Sequence, residues 1–275
     1  MAQYFKHIWI IIIFFLSSCY LNFFNKDTFY KKEKDQLRVV TYNVNHGGKE
    51  WQITAPMKTI NALKLLDGDV VLLQETNAYW ESYFHEYLAA LYPYQIFKHD
   101  NHGGGLAVLS KYSIFNQRYV SSMIGWHPGW IFDVHSTTGI IQIANLHLTP
   151  PLINKENPSF DLSAYFSSPQ IREKEIRFYY QFINLNRPTI IAGDFNEEDN
   201  GFVAQFLNQH GFTDAQSNQG RQASTWRWHL GPFLLHRKLD HIFYNQYLAK
   251  GRVQVLQRGD SDHFPLAVDL KQLHV

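Results

Sequence analysis

Apolar residues along this chain fall into short blocks whose spacing switches between two residues and about 3.6. Residues 37–43 form a β-branched run ending in a polar cluster, which predicts a strand. Met57, Ile60, Leu63 and Leu66 lie on one helical face. Residues 69–73 read as a buried strand, and Trp80, Phe84, Tyr87 and Leu91 mark a second helix. Strands are predicted at 105–109, 130–135 and 140–146, with Thr137-Thr138-Gly139 turning between the last two. Pro169 suits the first position of a helix continuing through Ile171, Ile176, Tyr180 and Ile183. After a strand at 189–192, Phe202, Phe206 and Leu207 give a short helix that Gly211 stops. Strands at 239–244, 252–256 and 265–270 complete the series. No internal repeat is visible. The mixture predicts an α/β (α+β) domain with a substantial sheet core.

The first residues follow a different pattern. Lys6 precedes an apolar run from Ile8 to Leu16, then Ser17, Ser18 and Cys19. A basic start, a short apolar run and small residues describe a secretory signal over residues 1–18. Leu16-Ser17-Ser18-Cys19 is similar to the lipobox of bacterial lipoproteins, which implies acylation of Cys19 and anchorage to a membrane. Cys19 is the only cysteine, so an intramolecular disulfide is excluded. Residues 19–36 read as the lipidated Cys and a polar tether, and 37–275 as one domain. The expected location is the bacterial cell envelope. Tyr20, where some bacteria place a retaining Asp, favours the outer membrane.

Composition supports a real core: 45% of the 275 residues are hydrophobic and 18% charged. The chain carries 25 Lys and Arg against 24 Asp and Glu. Residues 1–18 hold one of the lysines and no acid, so the remainder is neutral. It has no molecule-wide field to attract nucleic acid, which leaves room only for a local basic groove.

The candidate chemistry gathers at predicted strand ends. Asn43 follows 39–42, Glu75 follows 70–74, His147 follows 143–146, and Asp194 and Asn196 follow 190–193. Asp240 and His241 interrupt an apolar segment, and Asp262 and His263 precede Phe264-Pro265-Leu266. Oxygen-rich sites of this kind favour Mg²⁺ or Mn²⁺ over Zn²⁺. Each residue also has a plainer reading: Glu75 as a helix cap, Asn43 and Asp194 as turn formers, Asp240 as a buried acceptor, His147 as a packing residue.

The order of the pieces carries a resemblance. Tyr42-Asn43-Val44, Leu73-Gln74-Glu75, Asn145-Leu146-His147-Leu148, Gly193-Asp194-Phe195-Asn196, Leu239-Asp240-His241-Ile242 and Ser261-Asp262-His263-Phe264-Pro265 resemble the endonuclease/exonuclease/phosphatase superfamily from Leu37 onward. The resemblance implies a DNase I-like four-layer sandwich: two packed mixed sheets flanked by helices. It implies phosphate-ester hydrolysis with Mg²⁺ or Mn²⁺. Asn43, Glu75 and Asp262 would serve the metal; His147, Asp194, Asn196, Asp240 and His263 would be catalytic. His241 is left as structural. Asn45 stands where some family nucleases carry an acid; one fewer carboxylate suggests a one-metal site or weaker metal affinity and argues against the exonuclease III type.

Three features bear on the substrate. Arg227 and Trp226, with Trp228, Arg221, Arg237 and Lys238, mix cations with rings and suit a nucleic-acid backbone and its bases, or an ordinary solvated loop. Trp126-His127-Pro128-Gly129-Trp130 reads as an aromatic turn, dipping into a lipid interface or packed on itself. Residues 149–168 read as a long loop that could shape the cleft. A nuclease-type phosphodiesterase outside the cytoplasm is the leading expectation. The alternatives are a phospholipase C, sphingomyelinase or inositol-phosphate phosphatase, and a non-catalytic surface lipoprotein. No protein partner is inferable.

Overall fold

A computed structural model describes residues 31–47, 55–100, 104–151, 162–217, 224–230 and 233–273. The signal-like segment and Cys19 lie outside the described residues. Lys32–Val275 form one compact unit.

The first half runs β1 (Leu37–Asn43), α1 (Pro56–Leu66), β2 (Val70–Gln74), α2 (Ala78–Leu88), β3 (Tyr94–Lys98), β4 (Leu106–Ser110), β5 (Ile114–Val120), β6 (Gly129–Ser136) and β7 (Gly139–His147). Then come α3 (Leu162–Tyr180), β8 (Thr189–Asp194), α4 (Phe202–Gln209), β9 (Phe212–Asp214), β10 (Trp226–Leu230), β11 (Phe233–Arg237), β12 (Asp240–Asn245), β13 (Leu248–Val255) and β14 (Leu266–Gln272). Two six-stranded sheets result, ordered β13-β14-β1-β2-β4-β3 and β5-β6-β7-β8-β12-β9, with β10-β11 as a separate ribbon. Each sheet holds one parallel pair, β1 with β2 and β7 with β8. The other pairings are antiparallel.

Alternation along each strand builds the layers. Leu37, Val39, Val70, Leu72, Val108, Leu266 and Val268 face Trp130, Phe132, Ile141, Ile143, Ile190, Ala192 and Ile242 across the space between the sheets. Each such fully buried side chain contributes roughly 1.5–3 kcal/mol relative to exposure. The opposite face of the first sheet meets α1 and α2. Tyr42 Oη lies 3.4 Å from Thr59 Oγ1, and Phe84 stacks on Phe97 of β3. The opposite face of the second sheet packs Ala144, Leu146, Ile191 and Phe243 against Ile176, Tyr179, Val203 and Phe206 of α3 and α4. The expected four-layer sandwich is what the chain forms.

Local signals explain the helix ends. Pro56 opens α1, where a missing N–H is harmless, and Asp67 closes it in the left-handed region. Asn77 caps α2, its Oδ1 accepting from Tyr79 N and Trp80 N. Pro169 departs from expectation. It lies inside α3, which begins at Leu162, so residues 162–168 are helix rather than loop. The aromatic turn packs inward: Trp130 is fully buried and His127 nearly so. No described helix is long and apolar enough to cross a membrane.

Candidate active site

The rows of residues that fill the space between the sheets end in polar side chains. On β1 the inward row runs Leu37, Val39, Thr41, Asn43; on β7 it runs Ile141, Ile143, Asn145, His147; on β8 it runs Ile190, Ala192, Asp194. Register places His147 and Asp240 on either side of Asp194, as its partners on β7 and β12. One layer below, Gln74 Nε2 donates to Asn145 Oδ1 at 2.7 Å and to Thr41 Oγ1 at 3.1 Å, tying the two sheets together. Asn145 Nδ2 donates in turn to the Leu73 and Ala107 carbonyls. The site is thus the polar end of the core itself.

Two backbone features complete it. Alternation would send Glu75 to the helix-covered face, because Gln74 faces the core. A φ of 57° at Glu75 breaks the strand there, and the carboxylate joins Asn43. Gly193 has φ 146°, and a Cβ there would sit 1.8 Å from the Leu146 carbonyl oxygen. Only glycine lets β8 approach β7 closely enough to set Asp194 beside His147.

Hydrogen bonds define the geometry. Asn43 Nδ2 donates to Glu75 Oε1 and to Asp194 Oδ2, both at 2.9 Å, while its Oδ1 accepts from Asn45 N. Asp194 Oδ1 accepts from Asn196 N at 2.9 Å, and Asn196 Nδ2 donates to the Leu148 carbonyl. His263 Nδ1 lies 2.8 Å from Asp240 Oδ2, and its Nε2 faces Asp194 Oδ2 at 3.6 Å. Thr225 Oγ1 accepts from Asp240 N, and Ser261 Oγ accepts from His263 N. His147 Nε2 stands 3.7 Å from Glu75 Oε1 and 3.6 Å from Asp194 Oδ2, beyond hydrogen-bond reach of both.

Electrostatics follow from burial and neighbours. Burial pushes Glu75 up to about 7, against the pull of Asn43 and His263. Burial likewise raises Asp194 above the usual carboxylate range. Burial disfavours the charge on His263, but Asp240 and Asp194 outweigh it and hold its pKa well above the ordinary histidine value. His147 goes the other way: burial, then His127 and His263, hold it well below. The two imidazoles of one cleft are thus shifted in opposite directions, His263 toward its charged form and His147 toward its neutral form.

The residues present fit a divalent cation. Glu75, His147 and Asp194 each offer a ligand atom, all within 4.8 Å of one another. Burial disfavours the charged forms of the two carboxylates, the oxygen ligands that a hard cation takes, and His147 Nε2, which bonds neither, would be left to donate to a group bound beside the cation. A cation there would offset the buried negative charge. Asp194, Asp240 and His263 form a second close group. There His263 Nδ1 already lies 2.8 Å from Asp240 Oδ2.

The structure brings Asn43, Glu75, His147, Asp194, Asn196, Asp240 and His263 into this cleft. Asn43 presents its amide N–H to the carboxylates, so it orients them. Asp262, expected at the metal, lies outside both groups. Its Oδ2 accepts from Trp226 Nε1 at 2.9 Å, because the ribbon is bridged to the His263 segment. Trp226 is thereby engaged at the lip of the cleft and stacks on Trp228, while Arg227, on the other face of β10, lies over the Phe264 ring. His241 is buried between Asp214 and the Glu197 carbonyl, away from the cleft. Sequence reasoning missed Gln74, Asn145, Thr225 and Ser261, which hold the site from below. It also missed His127, whose ring stacks on His147. The inward rows would have exposed Gln74 and Asn145.

Comparison with known proteins bears on the fold and the family. No protein of curated function matches the sequence. A solved endonuclease/exonuclease/phosphatase from Beutenbergia cavernae is similar at 16% identity and TM-score 0.69, over 87% of this chain and 72% of that one. TDP2 from D. rerio, complexed with a single-strand DNA product, is similar at 18% identity and TM-score 0.65, over 86% and 99%. A family protein from Leptotrichia buccalis matches at 18% identity and TM-score 0.65, over 86% and 99%. These likenesses show a shared fold. The family model for endonucleases, exonucleases and phosphatases matches residues 40–263, most of the sequence. With its strand-end residues gathered in one cleft, the chain belongs to the endonuclease/exonuclease/phosphatase family of metal-dependent phosphoester hydrolases.

Proposed function

We propose that this protein is a phosphodiesterase of nuclease type that uses Mg²⁺ or Mn²⁺ and works outside the cytoplasm. The observation that carries the reading is the meeting of a hydrogen-bonded Asp240–His263 couple with Glu75 and Asp194, both held by one Asn43 amide. A bound divalent cation would supply Lewis acidity at a phosphoryl oxygen. Glu75 and Asp194 would hold it. Asp194, its pKa raised by burial, is suited to orient and deprotonate the attacking water. His263, kept protonated by Asp240, donates from Nε2 to a phosphoryl oxygen as charge builds there. His147 and the second N–H of Asn196 donate to the same group. The ribbon adds Trp226 and Trp228 for bases, with Arg237, which register sets opposite Trp226 on the same face, for phosphates. Similarity to a TDP2 captured with a single-strand DNA product supports a nucleic-acid substrate. The lipobox-like Leu16-Ser17-Ser18-Cys19 supports a lipid-anchored envelope location.

A second reading has its own observation. The most exposed large apolar side chains include Met123 at 81%, Tyr79 at 68% and Trp228 at 50%, on segments at the end of the sheets where the cleft opens. Such a rim suits a lipid surface and a phospholipase C or sphingomyelinase activity. The test is a Mn²⁺ and Mg²⁺ assay of the purified protein on single- and double-stranded DNA, RNA, inositol phosphates, and phosphatidylcholine and sphingomyelin vesicles, with Glu75→Ala as control. Nucleic-acid cleavage lost in the control upholds the proposal. Vesicle hydrolysis alone moves the assignment to the lipid reading.

A further inference from the structure

We propose that His127 is a positioning residue, holding the ring of His147 in its working orientation by stacking. The inference rests on the reading of His147 as a donor to the phosphoryl group. The two imidazoles lie 4.0 Å apart between centroids and 7° from parallel. His127 is 4% exposed and His147 3%. Nothing hydrogen-bonds His147 Nδ1 among the described residues, and Nε2 has no partner within hydrogen-bond distance in the cleft. A catalytic imidazole is usually oriented through its second nitrogen. Here that anchor is missing, and a flat ring against its face takes its place.

The surrounding structure is built to hold His127 rather than merely to accommodate it. Tyr179 Oη of α3 donates to the His127 carbonyl at 2.5 Å. Trp126, its chain neighbour, packs edge-on against the His127 ring, and Trp126 N donates to Thr149 Oγ1. Thr149 follows His147 by two residues, and both its N and its Oγ1 donate to the buried Glu175 carboxylate. The turn carrying His127 and the loop leaving His147 are thus fastened to each other and to α3. On the remaining side, a Cβ added at Gly104 would sit 2.6 Å from His127 Nδ1. Glycine there leaves room for the ring in the stacked position.

Three variants test this: His127→Phe keeps a flat ring, His127→Ala removes it, and Gly104→Ala crowds its Nδ1 edge. Steady-state kinetics use bis(p-nitrophenyl) phosphate with Mn²⁺, and crystal structures of the variants read the His147 ring directly. The expected result for His127→Ala and Gly104→Ala is a fall in kcat of about ten- to a hundredfold with little change in KM. The His147 ring should turn away from Asp194. His127→Phe should keep both the ring position and most of the rate. An unmoved His147 ring in His127→Ala overturns the proposal whatever the activity. So does a failure of His127→Phe to restore a rate that His127→Ala lost, because the ring nitrogens of His127 would then carry the effect. A wild-type protein inactive on every phosphodiester would refute the hydrolase reading instead, while the crystal structures would still decide the role of His127.

Discussion

At the scale of single residues, the site depends on two imidazoles shifted in opposite directions. Asp240, with Asp194 behind it, outweighs the penalty of burial and raises the pKa of His263. The sign follows directly. A histidine with a raised pKa stays protonated above its ordinary range and loses the proton only as pH rises through the raised value. Activity that needs protonated His263 should therefore fall on the alkaline side. Asp240→Asn removes the first of the groups that raise it. Its kcat on bis(p-nitrophenyl) phosphate should drop about a hundredfold at neutral pH, and the alkaline limb of the pH–rate profile should move to lower pH. A limb that stays in place would assign the proton to another group. Much of this residue set was legible in the sequence, because the polar residues at successive strand ends follow the family's motifs in order. Glu75 was legible by motif, but its reversal by a positive φ was not, since nothing in Gln74-Glu75-Thr76 announces it. His127 was legible only as part of the aromatic turn at 126–130, because its stacking on His147 at the end of β7 is a tertiary contact.

At the scale of elements, each strand that ends in a catalytic residue was visible, and most strands that do not were missed. β5 illustrates why. Its middle is exposed, and Asn116 at φ 48° accompanies a register shift between Phe115 and Arg118, so the alternation breaks. β3, β9 and the ribbon are edge or two-stranded elements with one face open, which weakens the apolar pattern. Two predictions belong here. Gly193→Ala places a Cβ against the Leu146 carbonyl at a φ that side chains rarely adopt. It should destabilise the β7–β8 pairing by about 3 kcal/mol or more in urea unfolding, with loss of activity. The second concerns the Asp214–His241 pair, which joins β9 to β12. Burial opposes a charged His241, but Asp214 outweighs it and raises the pKa. That contribution is complete below about pH 6.5, the ordinary histidine value, and is lost as pH rises through the folded value. Asp214→Asn should cost about 3 kcal/mol at pH 6. It should also remove the part of the wild-type stability loss between neutral and alkaline pH that His241 supplies. Equal pH slopes in the two proteins would show that the pair does not couple to folding.

At the scale of the whole molecule, neither sheet owns the site. The first sheet supplies Asn43 and Glu75, the second supplies His147, Asp194 and Asp240, and His263 enters just before β14. Sequence order alone could list these residues, but only packing of one sheet on the other puts Asn43 Nδ2 within 2.9 Å of Asp194 Oδ2. Folding therefore gathers buried carboxylates that repel one another, and burial raises both Glu75 and Asp194. A cation bound only by the folded state would relieve that repulsion. At a concentration a hundred times its Kd it would add about 2.7 kcal/mol. Thermal unfolding should accordingly show a Tm that climbs with Mn²⁺ and returns to its starting value with EDTA. In Glu75→Gln the apo protein should be at least as stable as wild type at pH 8, because the buried charge is gone while a hydrogen-bonding amide remains. Its response to Mn²⁺ should shrink to a small fraction of the wild-type rise. An undiminished rise in that variant would place the cation elsewhere, on ligands that the two sheets do not share.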